Sequence, residues 1–175
     1  MDEDMTAALR ELLDKYQIHE TLMRYCRAVD RGDRDLLASC FHPDAFDDHG
    51  YFTAHGSEIA DVIIAKIQEF SVASMHFVGN ELIEVKGDSA FSEAYFFACL
   101  VVPLEGDEQA TRIRAARYID IFERRSGHWK IAKRTVVDEY DRIDRVVELT
   151  PGREFFHRGL RSPEDLIYHV QSLVE

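Results

Sequence analysis

The strongest constraint on this chain is a change of period near Ser71. Before it, apolar residues recur at helical spacing. After it come four β-rich runs, Val72 to Val85, Ser89 to Val102, Arg112 to Glu123 and His128 to Asp138. Lys86-Gly87-Asp88, Glu105-Gly106-Asp107 and Arg125-Ser126-Gly127 separate them, which is hairpin punctuation. Helices followed by long hairpin-linked strands predict an α+β domain, its curved antiparallel sheet wrapped around the helices. No internal repeat or low-complexity stretch breaks this order.

The helical half is marked at its ends. Asp4 and Asp14 both have N-cap character, and Asp14 with Gln17 three residues on forms a capping-box signature. After Asp14, the residues Ile18, Leu22, Tyr25, Cys26 and Val29 make one buried stripe. Gly32 stops that helix, and Asp33 caps a short one from Arg34 to Cys40. Phe41 to Gly50 reads as turn, short strand, turn, and Gly56-Ser57 opens a third helix. Ser162-Pro163-Glu164-Asp165 predicts the start of a last helix, with Ser162 as N-cap, carrying apolar residues from Leu166 to Val174. The expected organisation is a single domain over residues 1–145. An extension over 146–175 ends in a helix packed on that domain or on a partner subunit.

A length of 175 residues suffices for one domain with its own core. The 33 acidic against 21 basic side chains, a net charge of −12, argue against a phosphate-tracking nucleic-acid binder and against an anionic membrane as partner. Cys26, Cys40 and Cys99 have no CxxC spacing and leave an odd one over, as buried thiols in a reducing compartment do. The acidic start, Met-Asp-Glu-Asp-Met, is followed by no apolar signal region, and no apolar run approaches the ~20 residues of a membrane span. These features predict a soluble, cytoplasmic protein.

Two residues stand in contexts that suggest chemistry. Asp30 ends the first amphipathic helix in Asp30-Arg31-Gly32-Asp33, and His76 lies in the strand run Ser74-Met-His-Phe-Val-Gly-Asn80. A carboxylate bonded to one imidazole nitrogen fixes the tautomer and leaves the other nitrogen as a base. As a plain structural residue, Asp30 is a turn aspartate and His76 a satisfied core histidine. Strand alternation puts His76, Val78 and Asn80 on one face. Tyr25 sits in the apolar stripe, as core or as a hydroxyl donor to a substrate oxygen. Arg134, between Ala132 and Val136 on its strand face, either pairs with a buried acid or clamps an oxyanion, with Arg117 as its rival. His42, Asp44, Asp47, Asp48 and His49 form the most metal-like group, but without the spacing of a known site, so no metal is expected. Tyr95, Phe96, Phe97, Phe52, Phe77 and Phe91 supply aromatic lining, about half of it inward. Such a pocket with few polar groups suits a hydrophobic small molecule.

The order of elements, with Tyr25-Cys-Arg-Ala-Val-Asp30-Arg-Gly-Asp33, Met75-His76-Phe-Val-Gly-Asn80 and the run Tyr118 to Arg134, resembles the nuclear transport factor 2-like superfamily. Within it the chain is similar to the SnoaL-like branch, which includes hexachlorocyclohexane dehydrochlorinase, scytalone dehydratase and a bile-acid dehydratase. The resemblance implies a cone-shaped half-barrel enclosing an apolar pocket, with catalytic residues at His76, Asp30, Tyr25 and Arg134. The implied activity is a cofactor-independent lyase or isomerase acting on a hydrophobic cyclic small molecule. The second long strand, Ala94 to Val102, lacks the acid that the steroid isomerases and polyketide cyclases place there. A homo-oligomer, dimer or trimer, is expected. The alternatives are a non-catalytic binding or assembly module of the same fold, or a protein like a ring-hydroxylating dioxygenase β-subunit.

Overall fold

A computed structural model describes residues 3–106, 108–146 and 151–174. Its first element, α1, runs unbroken from Glu3 to Arg31. Asp4 and Asp14 therefore do not cap helices as expected. No glycine or proline interrupts this stretch, so the helix propagates through both positions. The Asp14 carboxylate instead reaches the sheet, accepting from Trp129 Nε1 at 2.8 Å and from Arg124 at 2.6 Å. Gly32, at φ +69°, ends α1 in the left-handed region. Asp33 then caps α2 (Arg34–Ser39) through a 3.0 Å bond from the Leu36 N–H.

The next segment is more regular than its sequence suggests. β1 (Phe41–Asp48) follows α2 directly, β2 (Thr53–His55) folds back on it, and one 3-10 turn leads into α3 (Ile59–Phe70). Four long strands follow: β3 (Ala73–Lys86), β4 (Ser89–Pro103), β5 (Gln109–Arg125) and β6 (His128–Arg145). β5 and β6 outrun their apolar cores. Their polar ends carry ion pairs that run diagonally across the ladder, Arg112 with Asp141 and Arg114 with Asp138. The expected final helix is shorter, α4 (Leu166–Gln171), and Asp165 rather than Ser162 caps it. Asp165 also accepts from the Leu160 N–H at 2.7 Å and pairs with Arg31 at 3.3 Å, so this cap doubles as the anchor of the tail to α1.

The six strands form one curved, open sheet in the order β2-β1-β6-β5-β4-β3. Every pairing is antiparallel except β1 with β6. α1 packs against β3 and β6 on the inner face, where Ile18, Leu22, Cys26 and Val29 meet Phe96, Phe122, Trp129 and Ile131 in the core. The apolar face of α1 is therefore the plug around which the sheet curves. Among the described residues no helix is long and apolar enough to cross a membrane.

A bulge in β3 changes one sequence expectation. The β3–β4 register slips between Gly79 and Glu81, and Asn80 takes φ +46°. The extra residue inverts the alternation. Ser74, His76 and Val78 face inward before it, Glu81, Ile83 and Val85 after it, and Asn80 points outward, away from the face of His76. Outward too go Tyr95, Phe77 and Phe97, the last two 70% and 57% exposed and paired in register. Of the aromatic set, Phe96 and Phe52 are the ones that line the interior.

Candidate active site

The end of α1 and the start of β3 bring Asp30 and His76 together across 46 residues of sequence. Asp30 Oδ1 lies 2.7 Å from His76 Nδ1, and Asp30 Oδ2 accepts the backbone N–H of the same residue at 2.8 Å. Both oxygens thus serve one residue, which fixes the ring and its backbone as a unit. Asp30 is buried, and His76 is nearly so. Burial pushes the Asp30 carboxyl up, but hydrogen bonds from the His76 ring and backbone and from Ser74 outweigh it and hold the carboxyl below its ordinary value. An ionised Asp30 requires a hydrogen on Nδ1, so Nε2 is the nitrogen left to act as a base.

The C-terminal tail supports this pair from behind. Arg161 donates to Ser74 Oγ at 3.0 Å, to the Ser71 carbonyl at 2.7 Å and to Ser71 Oγ at 3.1 Å. Burial draws the Arg161 guanidinium below its ordinary range, while the charge of Asp30 acts to hold it up. The absence of a side chain at Gly32 makes this possible. A Cβ there would stand 2.8 Å from Arg161 Cγ. Sequence reading missed Ser74 and Arg161. Nothing local marks a serine and an arginine 87 residues apart as partners.

His76 lines a cavity between the sheet, α1 and α3. Its apolar walls come from Val29, Phe52, Ile63, Ile67, Phe96 and Leu100, and its polar groups are Tyr25, His49, Tyr118 and His76. Tyr51, Lys66, Arg112 and Arg114 line the more exposed part. The free space is narrow, about 60 Å³. Tyr25 takes the core role, with its hydroxyl turned to the cavity. Its ring is core, packed edge-on against Phe41 and Tyr118, while its hydroxyl meets His49 Nε2 at 3.4 Å. Burial, more than any other influence, drives its phenol far above the ordinary tyrosine range.

Arg134 takes the buried-acid role. It is fully buried, donates to Asp120 through two bonds of 2.8 and 2.6 Å, and lies between the faces of Tyr25 and Tyr118, 4.1 and 4.0 Å from their centroids. Burial opposes its charge, but the charge and hydrogen bonds of Asp120 hold it well above its ordinary value. It does not line the cavity but packs against two side chains that do, Tyr25 and Tyr118. Arg117 is on the outer face, paired with Glu93 and Glu139.

The metal-like group comes apart in space. His42 Nε2 bonds the Glu123 carbonyl at 2.8 Å, Asp44 pairs with Arg125, and Asp48 accepts from the Gly50 N–H. Asp47 and His49 stay together, 2.8 Å apart, and His49 stacks on Phe52 at the cavity wall. Among the described residues, no three His, Cys, Asp or Glu side chains converge as a metal site.

This architecture is an open half-barrel around a narrow, largely apolar cavity, with a His–Asp pair in the cavity wall. Residues 10–135 match the SnoaL-like domain, and the chain belongs to that family. Uncharacterized proteins of Mycobacterium bovis and Mycobacterium tuberculosis are 29% identical over 137 residues, covering 77% of this chain and 90% of theirs. Among solved structures, a hexachlorocyclohexane dehydrochlorinase from Novosphingobium barchaimii superposes with a TM-score of 0.73 at 23% identity, over 82% of this chain and 99% of that one. A scytalone dehydratase-like protein of Novosphingobium aromaticivorans follows at 0.67 and 20%, over 82% and 95%. These likenesses establish the fold. They bring dehydrochlorinase and dehydratase relatives into view without assigning either activity to this chain.

Proposed function

We propose that the protein is a cofactor-independent lyase, a dehydratase in its simplest form, acting on a compact hydrophobic ring that carries an oxygen function. The observation that carries this reading is the Asp30–His76 pair, held by two short bonds at the wall of an apolar cavity. His76 Nε2 removes a proton from a ring carbon. Asp30 keeps the tautomer and stabilises the imidazolium that forms. The Tyr25 hydroxyl orients the substrate oxygen, and Arg134 fixes the Tyr25 ring from beneath. An isomerase would use the same first step and return the proton elsewhere.

The free space of about 60 Å³ is well below the ~300–1,000 Å³ of a typical small-molecule site, so the substrate enters by displacing mouth side chains such as Tyr51 and Phe70. A single ring fits this better than a fused system. The protein works as a homo-oligomer, dimer or trimer. Support comes from the outward aromatic face around Phe77 and Phe97, which a monomer leaves in water.

The test is a set of cyclic β-hydroxy ketones, followed by the ultraviolet absorption of the enone that elimination creates. Turnover of at least one ring substrate, unaffected by chelators, is the expected result. No elimination from any of them, together with no exchange of ring α-protons in heavy water, would refute the reading.

A further inference from the structure

Asp47 is a buried group that the His76 chemistry leaves unexplained. It is fully buried, and neither of its oxygens accepts a hydrogen bond among the described residues. A buried carboxylate in that state is costly and calls for a nearby positive charge. Strand register shows where the charge is short. Asp47 on β1, Arg134 on β6 and Asp120 on β5 stand in one row across three strands. Arg134 spends two nitrogens on Asp120, and its remaining Nη1 has no hydrogen-bond partner. One guanidinium thus faces two carboxylates. The group in contact with the uncompensated one is His49, with Nδ1 2.8 Å from Asp47 Oδ2, close enough for an ion pair although the two are not aligned as a hydrogen bond.

His49 is also placed for chemistry. It lines the same cavity as His76, stacks on Phe52 at 4.6 Å, and presents Nε2 to the Tyr25 hydroxyl at 3.4 Å. The other charges near it are Asp120, and Lys66, Arg112 and Arg114 of the lining. Those three cations are each tied to an acid of their own, Glu69, Asp141 and Asp138. Tyr25 alone is a poor proton source, because burial raises its phenol so far.

We propose that His49, charge-balanced by Asp47, is the general acid that protonates the departing oxygen, making the site a two-histidine one. The proposal rests on the elimination reading above. His76 Nε2 takes the proton from the ring carbon. The C–H electron pair becomes the new C=C bond while the C–O bond breaks. The leaving oxygen takes the His49 Nε2 proton, directly or through the Tyr25 hydroxyl, and departs as water. One proton then passes from His76 to His49 through solvent to restore the enzyme. The substrate class follows as a ring whose hydroxyl is β to an acidic C–H and close to His49 and Tyr25.

Two measurements on the full-length protein test this. In long-range nitrogen–proton spectra at neutral pH, both His49 nitrogens should carry hydrogen, and Asp47→Asn should remove one. His49→Gln identifies the signals. A His49 with one bare nitrogen, unchanged in Asp47→Asn, overturns the charge balance whatever the activity. The kinetic arm compares 3-hydroxycyclohexanone with 3-(4-nitrophenoxy)cyclohexanone, whose leaving group needs no proton. His49→Gln should lose ~10²–10⁴ of turnover on the first and little on the second. His76→Ala should lose both. Equal losses in His49→Gln on the two substrates overturn the acid role alone. A wild type inactive on both overturns it together with the elimination reading.

Discussion

Replacing Asp30 with asparagine removes one charge and almost no volume, so its consequences isolate what the carboxylate does. In the native site both oxygens accept from His76, at 2.7 and 2.8 Å, and Ser74 adds a further bond. An asparagine satisfies at most one of the His76 donors with its carbonyl and turns an N–H₂ group toward the other. Facing Nδ1, that amide favours the tautomer with hydrogen on Nε2, which is no base. A comparable substitution in a His–Asp pair costs up to about 10⁴ in turnover. The fold loses a charge-assisted bond, about 2 kcal/mol, which in a domain of this size lowers the melting temperature by about 4–8 °C. The pH dependence carries a sign. The folded carboxyl titrates below its unfolded value of about 3.9, so its contribution is present above that value and is lost as pH falls through the folded one. Scanning fluorimetry of wild type and Asp30→Asn from pH 2 to pH 8 should show a gap at neutrality that narrows once the pH falls below about 3.9. A gap independent of pH, or a variant with native turnover, would refute the argument.

Three further outcomes are expected. Arg134→Met leaves Asp120 buried without its cation, and urea unfolding should show a loss of about 3–5 kcal/mol, largely recovered in the Arg134→Met/Asp120→Leu double variant. Arg161→Ala frees Ser74 behind Asp30, so the acid limb of the pH–rate profile should move while affinity for substrate changes little; an unmoved limb would make Arg161 a tail anchor only. Phe77→Glu with Phe97→Glu places charges on the outward aromatic face, and light scattering should show the assembly reduced to monomers, whereas a wild type already monomeric at micromolar concentration would exclude the oligomer.

The sequence made the sheet and the dyad readable for different reasons. Long strands joined by Gly-containing turns announce themselves locally, so β3 and β4 fall within a residue of their expected bounds, while β5 and β6 run beyond theirs, β6 to Arg145 rather than Asp138. Asp30 and His76 were legible because each stands in a recognisable run, although only the packing of α1 on β3 joins them. What stayed hidden is what depends on remote pairing. The parallel pairing of β1 with β6 sets Asp47 beside Arg134, 87 positions later, and so turns two members of a metal-like cluster into a buried pair, Asp47 and His49, behind and in the cavity wall. Asp120 was equally silent, since one acid in Tyr118-Ile-Asp-Ile-Phe122 gives no sign that an arginine faces it. The β3 bulge misled simple alternation because a glycine–asparagine pair inside a strand is read as pattern until its backbone is seen. Asp14 misled it too: its cap motif was real as a motif, but an uninterrupted helix left it free to bond Trp129.

The role of His76 as base is tested by steady-state kinetics of His76→Ala beside wild type on a ring substrate the wild type converts. A loss of ~10²–10⁴ in turnover is expected in a variant that still unfolds cooperatively, with substrate affinity little changed and a melting temperature lowered by the loss of the Asp30 bond. Native turnover in a folded His76→Ala protein would contradict it.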